Sequence, residues 1–499
     1  QAAARGVAVT GSGDSYCATW GDYDRDGLLD LMVGDYLAAP GSGLNVGPHT
    51  LFRQNPGGTF TNVTTASGTA VPGAALAVLW HDYDEDGWPD CHYINDRGDS
   101  FSPHSLMRNQ RAGTFMAVGP AVNANSGIDA MGITVGDTAN DGDWDVFVTN
   151  FQAGHVFMPW SEPTQQYAVP PGNIYGPALA YGFNTGQLGW SCHFFDYDQD
   201  GMIDLFVMHQ STPNRLFRNV GMAPWSDQTA AAFGPWNLTN PAVSPNHIIP
   251  WGRSSAVMDY DNDGDLDIFI PGEYTAGELV KNPGYGGNWL RIVTVGTNSN
   301  RDGIGAVLSA TSASRTQRRR VVSGEGFLSD CDKRIHFGLG TDATVTTLEV
   351  RWPSGTVQYL HQIPAHPQTT VTEPVFGVTG AMTPGSTNAV TMTLPSDAGL
   401  TYVTGVSSSA AAEYYLPDKR AVRVDITDPV LAYTTTFGNP MLGYYIGTLG
   451  AGGVANMTLN LPAIPALSGF GAWLIGVTVD PTYSGGIKSI VGPQRFVIQ

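Results

Sequence analysis

Five aspartate-rich loops recur along this chain in one register, and no other feature restricts its fold so strongly. The first lies in DYDRDGLLDLMVGDY, residues 22 to 36, with Asp22, Asp24, Asp26 and Asp30 at positions 1, 3, 5 and 9. Its copies are HDYDEDGWPDCHYI from His81, GDTANDGDWDVFVT from Gly136, FDYDQDGMIDLFVM from Phe195 and MDYDNDGDLDIFIP from Met258. Counted from Asp22, Asp82, Asp137, Asp196 and Asp259, the spacings are 60, 55, 59 and 63 residues. Copies at so regular a period mark a repeat architecture, in which each unit buries its faces against its neighbours.

Carboxylates crowded this tightly repel one another, and the usual compensation is a hard divalent cation held by oxygen, calcium above all. Glycine at position 6 allows the sharp turn that folds such ligands onto one point. An EF-hand would need a glutamate at position 12 on a helix; here that position holds Val33, Tyr93, Val148, Val207 and Ile270, so each loop reads as β-loop-β. The candidate ligands are Asp22, Asp24, Asp26 and Asp30; Asp82, Asp84, Asp86 and Asp90; Asp137, Asp141 and Asp145; Asp196, Asp198, Asp200 and Asp204; Asp259, Asp261, Asp263 and Asp267. About five structural Ca2+ ions are expected. The third loop departs from the pattern, with Ala139 at position 3, and is expected to bind more weakly or to be completed by water or Asn140. The fifth adds Asp265 at position 7, expected to face solvent.

Four of the five units carry a second marker: LFRQN at Leu51, LMRN at Leu106, LFRN at Leu216 and LVKN at Leu279. A period near 60 with strands on both sides of each loop suits a four-stranded propeller blade. Small and apolar runs before the loops, Ala75 to Trp80, Gly132 to Val135, Ser191 to Phe195 and Ser254 to Met258, suit strands near a crowded axis.

On these residues the chain resembles FG-GAP/VCBS repeats. NWLRIVTVGTNSNRDGIGAVL from Asn288 and HFGLGTDATVTTLEVRWPSGTVQYL from His336 are similar to the ASPIC/UnbV domain that follows such repeats in the cartilage acidic protein-like secreted family. The resemblance implies an all-β fold. Residues 1–287 would form a calcium-loop propeller, and 288–372 an ASPIC/UnbV-like region that completes a six- or seven-bladed ring or stands apart. Alternation in Ala389 to Leu394, Ala421 to Ile426 and Trp473 to Val479 adds a C-terminal Ig-like β-sandwich over 373–499, after a Pro and Thr linker that begins at His361.

Gly 62 and Pro 33 in 499 residues agree with a turn-rich β protein, and 42% hydrophobic content supports sizeable cores. The loops hold 21 aspartates against a net charge of −20, which disfavours nucleic acid as a partner. Arg315, Arg318, Arg319 and Arg320 read as a solvated strand or an ion-pairing surface. The chain starts at Gln1 without Met, as after signal-peptide removal, and weak calcium loops fit an extracellular or cell-surface location. There Cys17, Cys91, Cys192 and Cys331 are expected to form disulfides rather than buried thiols, with three pairings open. The apolar stretch Leu461 to Val479 is broken by Pro and Gly and is no membrane span.

No HExxH, GxSxG, Walker or Rossmann motif is present, and His81, His193, His209 and His247 read as packed or surface residues. The chain therefore reads as no enzyme, a glycan-active one being the remote alternative. Tyr167, Tyr175, Tyr181, Trp225, Trp236 and Trp251 lie in two long connections, where they pack the loops onto the scaffold or stack on sugars. The expected function is adhesion or extracellular structure, with an extracellular protein or glycan ligand. The alternative is a subunit of a self-assembling filament or surface layer.

Overall fold

The structure, a computed structural model, describes residues 5–7, 13–38, 48–98, 102–152, 154–170, 173–183, 186–210, 212–229, 231, 237–238, 252–272, 276–366, 368–410, 412–424, 427–435, 441–443 and 445–499. It is all-β, with 45% strand against 7% helix. Five antiparallel sheets account for the repeats. The first comprises Gly13–Gly21, Asp30–Ala38, Thr50–Asn55 and Thr59–Asn62; the second Ala75–His81, Asp90–Asn95, Ser105–Asn109 and Phe115–Ala117. The third has Ala130–Gly136, Asp145–Asn150 and Val156–Met158; the fourth Gly189–Phe195, Asp204–His209, Arg215–Arg218 and Ser226–Asp227. The fifth orders Ala256–Met258, Asp267–Ile270 and Glu278–Lys281, then takes Asn237–Leu238 from earlier in the chain as its outer strand.

Every aspartate loop joins the first strand of its sheet to the second, and the last register pairs are Gly21↔Asp30, His81↔Asp90, Gly136↔Asp145, Phe195↔Asp204 and Met258↔Asp267. The loops are thus hairpin turns, as the apolar twelfth position requires. Strand residues alternate between two cores: Val146 and Val148 pack with Leu79 and Ile94 of the second sheet, while Phe147 packs with Leu205 and Phe217 of the fourth. Similar clusters join the first sheet to the second and the fourth to the fifth. Burial on both faces explains the continuous apolar runs in the sequence.

One segment, residues 323–332, touches the first strand of all five sheets. Ser323 O accepts from Thr19 Oγ1 at 2.7 Å, and a Cβ on Gly324 would lie 2.9 Å from Val78 O. Gly326 pairs with Ile133, Phe327 N donates to Ser191 Oγ at 3.2 Å, and Asp332 N donates to Val257 O at 3.2 Å. Five strands converging on one short segment place it where the sheets meet.

The segment belongs to the region after the repeats. There Asn288–Val295 pairs with Ile335–Gly340 and, in parallel, with Gln368–Thr372. Val307–Thr311, Thr316–Arg320, Thr344–Arg351 and Val357–Pro364 form one half of an eight-stranded sheet. Its other half is C-terminal, joined through the single pair Val357↔Ile490. A second C-terminal sheet holds Phe376–Thr379, Thr387–Thr393, Leu442–Gly443 and Val454–Asn460, and the two sheets share a core that includes Val390, Met457, Val406 and Leu474.

Two expectations are corrected. The stretch from His361 is not a linker: it contributes the end of Val357–Pro364 and all of Gln368–Thr372, and the carboxylate of Glu373 accepts the amides of Thr297, Asn298 and Ser299 at 2.8–2.9 Å. The four cysteines are free thiols, because each faces a different partner. Cys17 Sγ lies 3.7 Å from Ala75 O, Cys192 Sγ 3.8 Å from Phe147 O and Cys331 Sγ 3.3 Å from His193 Nδ1, while Cys91 is buried in the core between the first two sheets. Among the described residues no helix is long and apolar enough to cross a membrane.

Candidate metal centres

The five loops share one backbone. Position 4 is left-handed in each, at Arg25 (φ 58°), Glu85 (56°), Asn140 (53°), Gln199 (60°) and Asn262 (64°). Position 6 is left-handed as well, at Gly27, Gly87, Gly142, Gly201 and Gly264 (φ 86–97°). Two such turns in three residues are costly for side chains other than glycine or a short polar one, so a carboxylate frame must hold them.

Positions 1 and 9 supply that frame. Asp22 accepts the amides of Asp26 and Gly27 at 2.9 and 3.0 Å, and Asp82, Asp137 and Asp196 repeat the pattern. Asp30 accepts from Tyr23 N at 3.2 Å and from Gln54 N, in the third strand, at 2.8 Å. Asp90, Asp145, Asp204 and Asp267 do the same with Asn109, Trp160, Asn219 and Asn282. These residues are therefore both hairpin staples and candidate ligands.

Positions 3 and 5 meet the second marker, which the sequence left without a role. Arg53 contacts Asp24 Oδ2 at 2.5 Å and Asp26 Oδ2 at 3.0 Å. Arg108 lies 2.7 Å from Asp84 Oδ2 and 3.3 Å from Asp86 Oδ2, and Arg218 lies 2.6 Å from Asp198 Oδ2 and 2.9 Å from Asp200 Oδ2. Lys281 pairs with Asp261 and Asp263. The marker asparagines tie sheet to sheet: Asn109 Nδ2 donates to Tyr23 O at 2.9 Å, Asn219 Nδ2 to Thr138 O at 2.7 Å and Asn282 Nδ2 to Tyr197 O at 2.8 Å.

The inner oxygens remain. Oδ1 of Asp24, Asp84, Asp198 and Asp259 is buried without a hydrogen-bond partner. Three carboxylates offer oxygens within 4.8 Å of one another in four loops: Asp22, Asp24 and Asp30; Asp82, Asp84 and Asp86; Asp196, Asp198 and Asp204; Asp259, Asp261 and Asp263. All-oxygen, multiply anionic donor sets of this kind fit a hard divalent cation. Burial first, then neighbouring carboxylates, push the Asp22 acid up to about 7 and Asp82 to about 8; in Asp82 the Arg320 charge opposes the rise. A divalent cation is the partner that would remove this cost.

Among the described residues the third loop gathers no such triad. Asn140 Nδ2 donates to Gly201 O at 3.1 Å across to the next loop, while its Oδ1 is buried without a hydrogen-bond partner. Gln199 likewise donates to Gly264 O at 3.0 Å, and Glu85 accepts from Trp144 Nε1 at 3.1 Å. Position 4 thus links each of these loops to its successor. Asp265 is held by Gln199 Nε2 at 2.8 Å rather than standing free in solvent.

The region after the repeats contacts every loop. Arg25 Nε donates to Pro353 O at 2.5 Å, Arg320 Nη2 to Asp82 O at 2.9 Å and Arg318 to Gly142 O. Gly340 N donates to Gln199 O at 2.8 Å, and Arg334 Nη2 to Asp259 O at 2.8 Å. Of the two readings of the arginine run, ion pairing holds and solvation does not: Arg318 lies 2.6 Å from Glu85, and Arg320 is buried over the Trp144 ring at 4.2 Å.

His81, His193 and His209 are buried, and Tyr167 and Trp225 are core residues. Tyr175 packs against the hydrophobic core around Tyr167, and Tyr181 sits edge-on to Phe157 at 4.8 Å. Trp236, Trp251 and His247 lie outside the described residues. The four described rings of the two long connections thus pack against the scaffold.

These features define a protein class: the chain carries FG-GAP-like repeats, matched by that family's model over residues 82–148 and 196–270, and an ASPIC and UnbV domain, matched over 296–376. It is similar to cartilage acidic protein 1 of Mus musculus, 26% identical over 374 residues that cover 70% of this chain and 53% of the relative. The same protein of Homo sapiens is 25% identical, with 70% and 52% covered. The chain thus spans about half the length of the curated relatives it matches. A solved tetra-tandem repeat from the extending region of a large adhesion protein is 8% identical over 97% of this chain and all of that one, but its TM-score of 0.14 carries no argument about fold.

Proposed function

We propose that this is a secreted, calcium-stabilised, non-enzymatic protein of the extracellular space or cell surface, acting in adhesion or extracellular structure. The observation that carries the calcium reading is the set of four carboxylate triads with buried, unpartnered inner oxygens. Asp22, Asp24 and Asp30 would hold an ion in the first loop, Asp82, Asp84 and Asp86 in the second, Asp196, Asp198 and Asp204 in the fourth, and Asp259, Asp261 and Asp263 in the fifth. The bound cation offsets the repulsion that remains among the loop carboxylates. This makes four ions, with the third loop apart.

On this reading residues 1–287 form a ring of five sheets. Residues 288–372 do not add a blade but cap the loop face, sending residues 323–332 into the centre. Residues 373–499 form a sandwich joined edge-to-edge to the cap. The burial of His81, His193 and His209 within the scaffold supports a non-enzymatic role. The relatives' name supports an extracellular one.

Light scattering of the purified chain in millimolar calcium and in excess EGTA tests the role. A monomer near 53.0 kDa in calcium supports a ligand-binding adhesin, and binding to immobilised matrix protein or glycan is then measured. Large particles that dissolve in EGTA would favour the self-assembling subunit instead.

A further inference from the structure

The marker cations bear on the calcium reading in a way that the loops alone do not. In four units one Arg or Lys spans the outer Oδ2 atoms at positions 3 and 5. In the three arginine units the inner Oδ1 at position 3 stays unpartnered. The cation therefore stands behind the ligand carboxylates without filling the space in front of them. The third unit has lost both members of the pair: Ala139 replaces the position-3 aspartate, and Pro159, which precedes Trp160 as Arg108 precedes Asn109, replaces the cation. Taken over positions 1, 3, 5 and 9 plus the marker, each of the five units carries the same net charge, −3.

We propose that Arg53, Arg108, Arg218 and Lys281 are built-in counter-ions that hold the loops closed without calcium and set calcium affinity low. This rests on the calcium reading above. The physical reason is that cation and metal share the same two carboxylates. In the metal-free loop the guanidinium offsets the repulsion between positions 3 and 5. When calcium enters from the other side, the two positive charges oppose each other through those carboxylates. Arg108 and Arg218 are more than a third exposed, so the opposition is screened and salt-dependent rather than prohibitive. Each ion is then released readily as calcium falls, and the hairpin survives its loss.

The test compares the full chain with Arg53→Gln/Arg108→Gln/Arg218→Gln and with the charge-preserving Arg53→Lys/Arg108→Lys/Arg218→Lys. Calcium binding is titrated against a fluorescent chelator at low and high salt, and melting is followed in EGTA. The Gln variant is expected to bind calcium about tenfold more tightly at three sites at low salt. The gain should shrink at high salt, and the variant should melt earlier than wild type in EGTA; the Lys variant should stay close to wild type in both. Unchanged or weaker calcium binding by the Gln variant, with wild type binding normally, overturns the counter-ion role alone. A wild type that takes up no calcium overturns the calcium reading with it. Circular dichroism in calcium checks that the variants are folded, and the Lys variant separates charge from packing.

Discussion

Asn219 donates its side-chain amide to Thr138 O at 2.7 Å and to Ile203 O at 3.0 Å, so one residue of the fourth sheet closes two loops that belong to different sheets. Its own Oδ1 accepts from Gly221 N at 2.9 Å, and the residue is buried. Asn109 and Asn282 stand in the same relation to the loops before them.

Asn219→Ala should therefore cost about 2–3 kcal/mol, because it leaves two buried carbonyls without donors. Equilibrium denaturation in calcium measures this. A loss below about 0.5 kcal/mol would mean that the sheet-to-sheet bond carries no weight.

The central segment makes a sharper steric prediction. Gly326 has φ +83°, and a Cβ there would sit 2.5 Å from Ser329 Oγ, 2.6 Å from His193 Cε1 and 2.7 Å from Ser191 Oγ. Gly286 has φ +75° with nothing within 4 Å. Gly286→Ala should thus cost about 1 kcal/mol, the strain of a left-handed alanine, and Gly326→Ala about 3 kcal/mol or more. Paired melting curves decide it, and equal losses would show that segment 323–332 is not tightly seated.

A pair of buried histidines sets an acid limit. Asn150 N donates to His155 Nδ1 at 3.3 Å, which leaves the proton on Nε2, facing His209 Nε2 at 3.3 Å. His209 in turn directs Nδ1 at Pro213 O, at 3.2 Å. The neutral pair is thus satisfied, and a further proton between the two rings has no acceptor. Burial, joined at His209 by the His155 charge, lowers His155 to about 4 and His209 to about 3. Folding favours the neutral forms, so their contribution is complete above pH 6.5 and is lost as pH falls below it. At pH 5 the loss is about 2 kcal/mol per histidine. The difference in melting temperature between wild type and His209→Gln should narrow from pH 7 to pH 5; a constant difference would contradict this.

The loops themselves were readable from the sequence because their aspartate spacing is local: nine residues hold the whole turn. Strand, loop and strand followed from the apolar twelfth position, and the third loop stood out through Ala139 alone. Contacts made over long sequence distances were not readable. Arg318 meets Gly142 across 176 residues and Arg25 meets Pro353 across 328, so the arginine run could not be placed against the loops from composition. The cysteines misled for the same reason, since an even count says nothing about which Sγ atoms face each other. The marker cations were legible in principle. Arg or Lys stands at one position in four units and is absent in the unit that lacks the position-3 aspartate, and that joint loss is the signal.

Thermal melting of the full chain in millimolar calcium and in excess EGTA, with bound calcium counted in the first condition, tests the account most directly. Calcium at about ten times each dissociation constant adds roughly 1.4 kcal/mol per site, about 6 kcal/mol over four independent sites. The account expects four ions per chain and a melting temperature that falls clearly in EGTA. An unchanged melting temperature in EGTA, or a chain that retains no calcium, would contradict it.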